Sequence, residues 1–487
     1  MRIHQLYGFP LTLAAMQRYK QIGLFAGPLL ALFIFLLDPG ADALQTKVLC
    51  IAAWMLVWWV LETVELYVTA MLPMVLFPML GVMSVPDTFV PYANPIIFLF
   101  LGGFILALAM EERRLHERIA FGLLRLTGTK PAGIVLGFML ATWAVAMWIS
   151  NTATAVMLLP IAISIIQLLK EQGTDEALVK RISLLLMLGI AYAANIGGMV
   201  TLIGTPPNLV FAGFYYDAFG VDFAFVDWLK VGIPIGALLL GLGYLVLIKF
   251  IYPVSSNRIE GVSELLHERW KSLGKMKRPE LTVLVIFGLT VFLWIFSVQI
   301  NDLLGTRVLN NTSIAMLGGI LMFVTPINLS QGEFVVSWEH ARKLPWGILI
   351  LFGGGLSLAG GLEKAGIIAL VAEFVASRDI DSVFLLMVGL TFVSLFLTEV
   401  MSNVALVTVL LPVVFGIAGE LEVDALLLTV PVTLAASCAF MMPISTPPNA
   451  VVYSSGYVSV KEMLRAGVWM NMISVVVISL ICYALFG

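Results

Sequence analysis

The sequence predicts an all-α polytopic membrane protein of about eleven transmembrane helices plus two re-entrant helical hairpins in two inverted repeats. Three observations predict it. The 487 residues are 60% hydrophobic and only 12% charged, with a mean hydropathy of +1.02, whereas a soluble domain runs about 25% charged and about half apolar. Apolar runs of spanning length recur from Ile22 to the end of the chain. A set of polar motifs also appears twice, in the same order.

The apolar runs bounded by charge or turn residues fall at 22–37, 48–64, 67–84, 95–111, 183–216, 228–253, 281–299, 313–327, 346–362, 425–450 and 466–486. A span takes roughly 20 apolar residues, so these leave no room for a soluble catalytic domain. Two further runs, 131–169 and 382–419, are about twice a span's length and carry polar residues at their centres. The longest charged stretch, about 255–280, is loop-sized.

Composition also excludes function classes. The net charge of −3 and the lack of a basic domain argue against nucleic-acid binding. Cys50, Cys438 and Cys482 lie far apart within apolar runs, which indicates neither a disulfide framework nor a cysteine metal site. His4, His116, His267 and His340 fall in polar segments and form no cluster in the sequence. The first 17 residues hold no long apolar core and no small-residue cleavage site, so no cleavable signal peptide is expected.

Lys and Arg in the loops set the orientation. With a cytoplasmic N-terminus and each long run entering and leaving on one side, 22 of the 27 basic residues lie inside, among them Arg113, Arg114, Lys130, Lys170 and the cluster from Lys249 to Arg278. Lys47, Lys230, Arg307, Lys364 and Arg378 remain outside, as does the C-terminus. Two full crossings in place of each hairpin would leave the same parity, so charge does not decide whether the long runs are re-entrant.

The internal repeat is read from three motif pairs. Phe100-Leu101-Gly102-Gly103 recurs as Leu351-Phe352-Gly353-Gly354, Ser150-Asn151-Thr152-Ala153 as Ser402-Asn403-Val404-Ala405, and Gly204-Thr205-Pro206-Pro207-Asn208 as Ser445-Thr446-Pro447-Pro448-Asn449. The separations are 251, 252 and 241 residues. Each unit, about 48–253 and 281–486, has five spans plus one long run. An odd number of crossings turns the second copy upside down. Inverted repeats with paired helix breaks are the signature of a secondary transporter, with the site near the bilayer midplane.

The chemistry sits at the breaks. In 131–169 the apolar run is interrupted by Ser150-Asn151-Thr152, and Lys130 and Lys170 flank it. A polar tip in hydrocarbon is costly unless it is paired or lines a cavity, and a re-entrant hairpin satisfies that condition. Its tip offers hydroxyls, a carboxamide and free N–H groups that favour an anion, while the carbonyls ending the first arm favour a cation. The second run carries the same kit at Thr398-Glu399-Val400-Met401-Ser402-Asn403-Val404. One such motif is most simply an interhelical hydrogen-bonding patch; two in register point to a site. Each Pro-Pro pair removes two amide donors and breaks its helix, which frees carbonyls of residues 202–205 and 443–446 for a cation. Thr205, Thr446, Asn208 and Asn449 can satisfy the backbone or bind. Hard oxygen ligands without thiolate or imidazole suit sodium. Glu399, an intramembrane acid, has three open roles: tuning a cation site, carrying a proton, or bonding hairpin backbone. Glu62 and Glu65 follow Trp58-Trp59 near a span's inner end and read as structural interface carboxylates.

On these residues the sequence resembles the divalent anion/sodium symporter family, the sodium-coupled dicarboxylate, citrate and sulfate carriers. The resemblance covers essentially the whole chain: Trp58-Trp59 with Glu62, both Ser-Asn motifs, and the specific stretch from Ala439 through Pro443-Ile444-Ser445-Thr446-Pro447-Pro448-Asn449 to Val452. It implies a homodimer, no enzymatic activity and no catalytic residues, with a scaffold and a transport domain that moves as an elevator. By resemblance, one sodium binds at Ser150, Asn151 and Gly204, and a second at Thr398, Met401 (backbone), Asn403 and Ser445. The substrate anion meets Asn151, Thr152, Asn403, Val404, Thr446 and Pro447, with Thr205 and Pro206 beside it.

The implied domains are a cytoplasmic N-terminal segment (1–21), scaffold helices (22–129 and 281–381), transport segments (130–253 and 382–487) and a cytoplasmic linker (254–280). The implied function is sodium-coupled symport of a C4-dicarboxylate across the inner membrane. Alternatives are a sodium-independent dicarboxylate exchanger and a sodium-coupled citrate or sulfate carrier. A membrane-embedded enzyme would need a nucleophile–base pair or metal cluster at membrane depth, and the sequence offers neither. Two departures from the family bear on the sites. Val404 stands where many members have Thr, and Ala146 where some have Ser.

Overall fold

The computed structural model describes residues 10–37, 42–254, 259–378 and 382–487, with the side chains of 10–19 left out. Residues 1–9 of the expected N-terminal segment, 255–258 of the expected linker and 379–381 before the second long run lie outside the described residues.

Helices make up nearly all of the described structure. Before the repeats comes α1 (Pro10–Leu37), and the first repeat runs through α2 (Ala43–Val60), α3 (Leu66–Thr69), α4 (Leu72–Leu80), α5 (Val85–Phe89), α6 (Pro95–Glu112), α7 (Leu115–Leu124), α8 (Pro131–Ala146), α9 (Asn151–Glu171), α10 (Glu176–Val200), α11 (Pro206–Phe219) and α12 (Phe225–Leu245). After a short α13 (Val262–Ser272), the second follows with α14 (Arg278–Leu304), α15 (Asn311–Val324), α16 (Trp338–Ala341), α17 (Trp346–Lys364), α18 (Ile367–Ala376), α19 (Val383–Leu397), α20 (Asn403–Glu420), α21 (Ala425–Ala436), α22 (Pro447–Ser454) and α23 (Val460–Phe486). Ten helical segments among the described residues are long and apolar enough to cross a membrane.

Both long runs are broken at the Ser-Asn motifs. In the first, α8 ends at Ala146, and the Ser150 hydroxyl caps α9 by accepting the Ala153 N–H at 3.2 Å. In the second, α19 ends at Leu397 and α20 starts at Asn403. The Pro-Pro pairs stand at the first positions of α11 and α22, where a missing N–H costs nothing.

Three details differ from the sequence expectation. The 67–84 run is not one helix but α3 and α4, with Gly81 ending α4 at φ 69°; Pro73 and Pro78 within it remove two backbone donors. The 313–327 run stops helically at Val324, and its tail enters a small antiparallel pair, Pro326–Asn328 with Glu333–Phe334. Arg113 fastens that pair by donating to the Phe334 and Val335 carbonyls. The second broken helix also unwinds earlier than the first, as described below.

The chain divides into two compact units. One comprises residues up to Asn94, Trp346–Arg378 and Thr408–Leu421. Here the recurring glycines act as contact points: a Cβ on Gly353 would meet the Tyr92 ring at 2.5 Å, and one on Gly354 would collide with the Ala70 carbonyl. The other comprises Pro95–Pro345, Asp379–Val407 and Glu422–Gly487, and it contains every candidate site residue. In it Gly102 plays the same part, since a Cβ there would sit 2.5 Å from the Ala315 backbone. Small residues of this kind let membrane helices approach closely. At one end of this unit Arg118 pairs with Glu280 at 2.6 Å and donates to the Gly274 carbonyl, tying α7 to α14.

Candidate functional site

The first hairpin tip and the first helix break meet through their backbones. The Asn151 side chain lies against Gly198, where a Cβ would come within 2.5 Å of Oδ1. A Cβ on Gly204 would in turn collide with the Gly198 carbonyl oxygen and lie 3.1 Å from that of Met147. Thr201 closes the loop by donating its hydroxyl to the Met147 carbonyl at 2.5 Å. Asn151 Oδ1 is buried and has no donor among the described residues. Ser150 is exposed, Asn151 and Thr152 are half-buried, Gly204 and Thr205 are buried, and Pro206 is half-buried.

The second tip is organised around Thr398, which is fully buried. Its hydroxyl lies 2.6 Å from Asn403 Oδ1 and 2.7 Å from the Ala436 carbonyl. One proton cannot serve both acceptors well. Met401, Asn403 and Val404 are half-buried beside it. Ser445 and Thr446 are buried and Pro447 is exposed.

The two asparagines after Pro-Pro hold the breaks in the same way. Asn208 Nδ2 donates to the carbonyls of Gly198 and Thr201, and Asn449 Nδ2 to those of Ala439 and Met442, positions 241 residues apart in both cases. Their amide N–H groups satisfy backbone, while both Oδ1 atoms are buried with no hydrogen-bond donor among the described residues. The Thr205 and Thr446 carbonyls are also engaged, by the N–H groups of Asn208 and Ala450. The carbonyls of 202–204 and 443–445 have no hydrogen-bond donor among the described residues.

Glu399 bonds backbone, but not the hairpin backbone that the sequence reading named. Oε1 accepts the backbone N–H groups of Phe440 at 2.8 Å and Met441 at 2.9 Å and the Asn471 amide at 2.8 Å, while Oε2 accepts Met442 N–H at 3.1 Å. These N–H groups belong to the broken helix rather than to the hairpin's own backbone. They need Glu399 because α21 ends at Ala436, whereas α10 continues to Val200, the counterpart of Met441. Glu399 thus replaces the carbonyls that a continued helix would have supplied.

Two polar residues escaped the sequence reading. Asn195 in α10 donates to the Ala439 carbonyl and to Thr446 Oγ1, and Asn471 in α23 to Glu399. Each is a lone asparagine in an apolar helix, a pattern that ordinary interhelical bonding also produces. Through Asn195, and through the packing of α22 on α9 and α10, the second break joins the first repeat's helices. Along α9, from Ala153 past Met157 to Pro160, runs a cavity of about 460 Å³ that also meets His116 in α7 and Arg269 in α13.

This arrangement of paired hairpin tips and paired Pro-Pro breaks can be set beside known proteins. Residues 20–486 match the family described as the sodium:sulfate symporter transmembrane region. The chain belongs to that family. Among its relatives is the sodium-dependent dicarboxylate transporter SdcS of Staphylococcus saprophyticus, 39% identical over 95% of this chain and 91% of that protein. SdcS of Staphylococcus aureus is 40% identical over 95% of this chain and 90% of that protein. In fold, the chain is similar to the Alcanivorax borkumensis YdaH transporter, whose crystal structure was described as having an unusual topology. The TM-score is 0.53 at 13% identity, covering 81% of this chain and 85% of that one. As a family member the protein is a multi-pass membrane transporter rather than an enzyme, with sodium as its co-transported ion.

Proposed function

We propose that the protein is a sodium-coupled symporter of a C4-dicarboxylate of the succinate, malate or fumarate type. The observation that carries this reading is the absence of any Lys or Arg from 131–169, 182–229 and 379–460, the segments that form both tips and both breaks. A dianion brought there meets hydroxyls, carboxamides and helix N-termini but no protein cation. A charge at membrane depth costs at least about 3 kcal/mol, and co-bound sodium ions offset it. The SdcS relatives, sodium-dependent dicarboxylate transporters, support the dicarboxylate.

In this reading Ser150, Asn151 and Gly204 hold one sodium, and Thr398, the Met401 backbone, Asn403 and Ser445 the other. The anion lies between them, against Asn151, Thr152, Asn403, Thr446 and Pro447, with Thr205, Pro206 and Val404 at its edge. Because Val404 has no hydroxyl, the second tip contributes one donor fewer than the first, where Thr152 stands.

The protein works in the inner membrane as a homodimer, with its N-terminus in the cytoplasm and its C-terminus outside. Residues 130–253 and 382–487 carry the substrate, and 22–129 and 281–381 form the scaffold. The matching tips move as one body in an elevator, past scaffold segments held at constant depth by the interfacial helices α7 and α18.

Uptake into proteoliposomes tests the reading. Succinate counterflow is expected to rise sigmoidally with sodium and to collapse when choline replaces it. Uptake indifferent to that replacement would instead make the protein an exchanger.

A further inference from the structure

We infer that Asn195 is a positioning residue that turns the Thr446 hydroxyl into a dedicated donor to the transported anion. The inference rests on the dicarboxylate reading above and adds the polarity of one of its contacts.

The argument is hydrogen-bond accounting. Asn195 is 1% exposed, and its Nδ2 lies 2.9 Å from the Ala439 carbonyl and 3.1 Å from Thr446 Oγ1. A carbonyl can only accept, so the amide must present its NH2 group on this side. That settles the orientation an amide otherwise leaves ambiguous. With one hydrogen on Ala439, the other points to Thr446, whose oxygen must accept it. Thr446 Oγ1 also accepts the backbone N–H of Asn449 at 3.5 Å, as the cap of α22. A hydroxyl has two lone pairs and one proton. Both lone pairs are directed at N–H donors, and no acceptor for the proton exists among the described residues. Thr446 therefore has nothing to offer a cation and a free O–H to offer a carboxylate.

The first repeat lacks this device. Thr205 caps α11 without a side-chain bond, and the residue 241 positions beyond Asn195 is Ala436. Only the second break is prepared in this way, so the two ends of the substrate meet unequal partners. A dicarboxylate is then held more firmly at the Thr446 end.

The test is a double-mutant cycle in proteoliposomes, with succinate and sodium as probes. Asn195→Ala is expected to raise the succinate KM about tenfold, the cost of misdirecting one hydrogen bond to a charged group. The maximal rate and the sodium concentration for half-activation should stay at wild-type values, which general damage to the fold would not allow. Thr446→Val should give a similar rise, Thr446→Ser should keep wild-type affinity, and the Asn195→Ala/Thr446→Val double variant should be no worse than either single one. Additive losses, or a shift in sodium activation equal to that in succinate, would overturn the assignment. If Asn195→Ala does not fold, an unchanged KM in Thr446→Val overturns it alone. Wild-type protein that transports no succinate would remove the dicarboxylate reading itself, and this inference with it; a wild type that transports normally confines any failure to Asn195.

Discussion

Asn151 and Asn403 occupy equivalent places in their hairpins but have different neighbours. Asn151 Oδ1 is buried without a donor, while Asn403 Oδ1 already lies 2.6 Å from the Thr398 hydroxyl. A carboxamide can turn its oxygen to a sodium ion and its N–H groups to an anion, which couples the two ligands through one side chain. Replacing either asparagine with alanine should lower sodium-driven uptake about a hundredfold, since two charge-assisted bonds are lost at once. The variant proteins should still insert and purify as the wild type does. Normal uptake by either purified variant would remove it from the site. The Ser-Asn pairs were legible in the sequence because polar residues at the centre of a long apolar run are conspicuous. Asn195 was not, because one asparagine in a span looks the same whether it holds a helix or a substrate contact.

At the scale of elements, the two broken helices share a motif but not a length. Asn208 and Asn449 tie equivalent carbonyls, yet α21 stops at Ala436 where α10 runs on to Val200. The longer unwinding survives because the Glu399 carboxylate takes three backbone N–H groups that would otherwise be orphaned. Each buried unpaired donor costs about 1–3 kcal/mol, so Glu399→Ala should destabilise the protein by about 3 kcal/mol or more. Thermal unfolding of the purified protein in detergent measures this, and Asn471→Ala should cost less because it removes one donor and leaves the carboxylate in place. An unchanged Tm in Glu399→Ala would mean that water replaces the carboxylate. The Pro-Pro pairs announced where α11 and α22 begin. They could not announce where α21 ends, because that depends on Glu399, whose side chain accepts the Phe440 N–H from 41 residues earlier in the chain.

At the scale of the molecule, the cavity along α9 bears on the side of access. It starts beside Ala153, one turn from the first tip, and reaches His116 and Arg269, in segments that the Lys and Arg bias puts in the cytoplasm. Met157→Cys should therefore react with a membrane-impermeant thiol reagent applied from the cytoplasmic side, and sodium plus succinate should slow the reaction. The native Cys50, Cys438 and Cys482 are buried and provide a quiet background. Labelling from the outside alone, in vesicles of known orientation, would reverse the assigned topology.

The sequence by itself determined the membrane class, the twofold repeat, the hairpin breaks and the polar residues at the tips. Each is local: apolar runs must be spans, Pro-Pro must break a helix, and a Ser-Asn pair in hydrocarbon must be satisfied or used. Only the tertiary structure decided how those pieces divide their hydrogen bonds. Whether Glu399 faced a cation, a proton or a backbone, which carbonyls Asn208 and Asn449 took, and which way the Thr446 hydroxyl pointed were all set by partners distant in the chain. A buried donor or acceptor is committed by the group packed against it, and the order of residues does not state which group that will be.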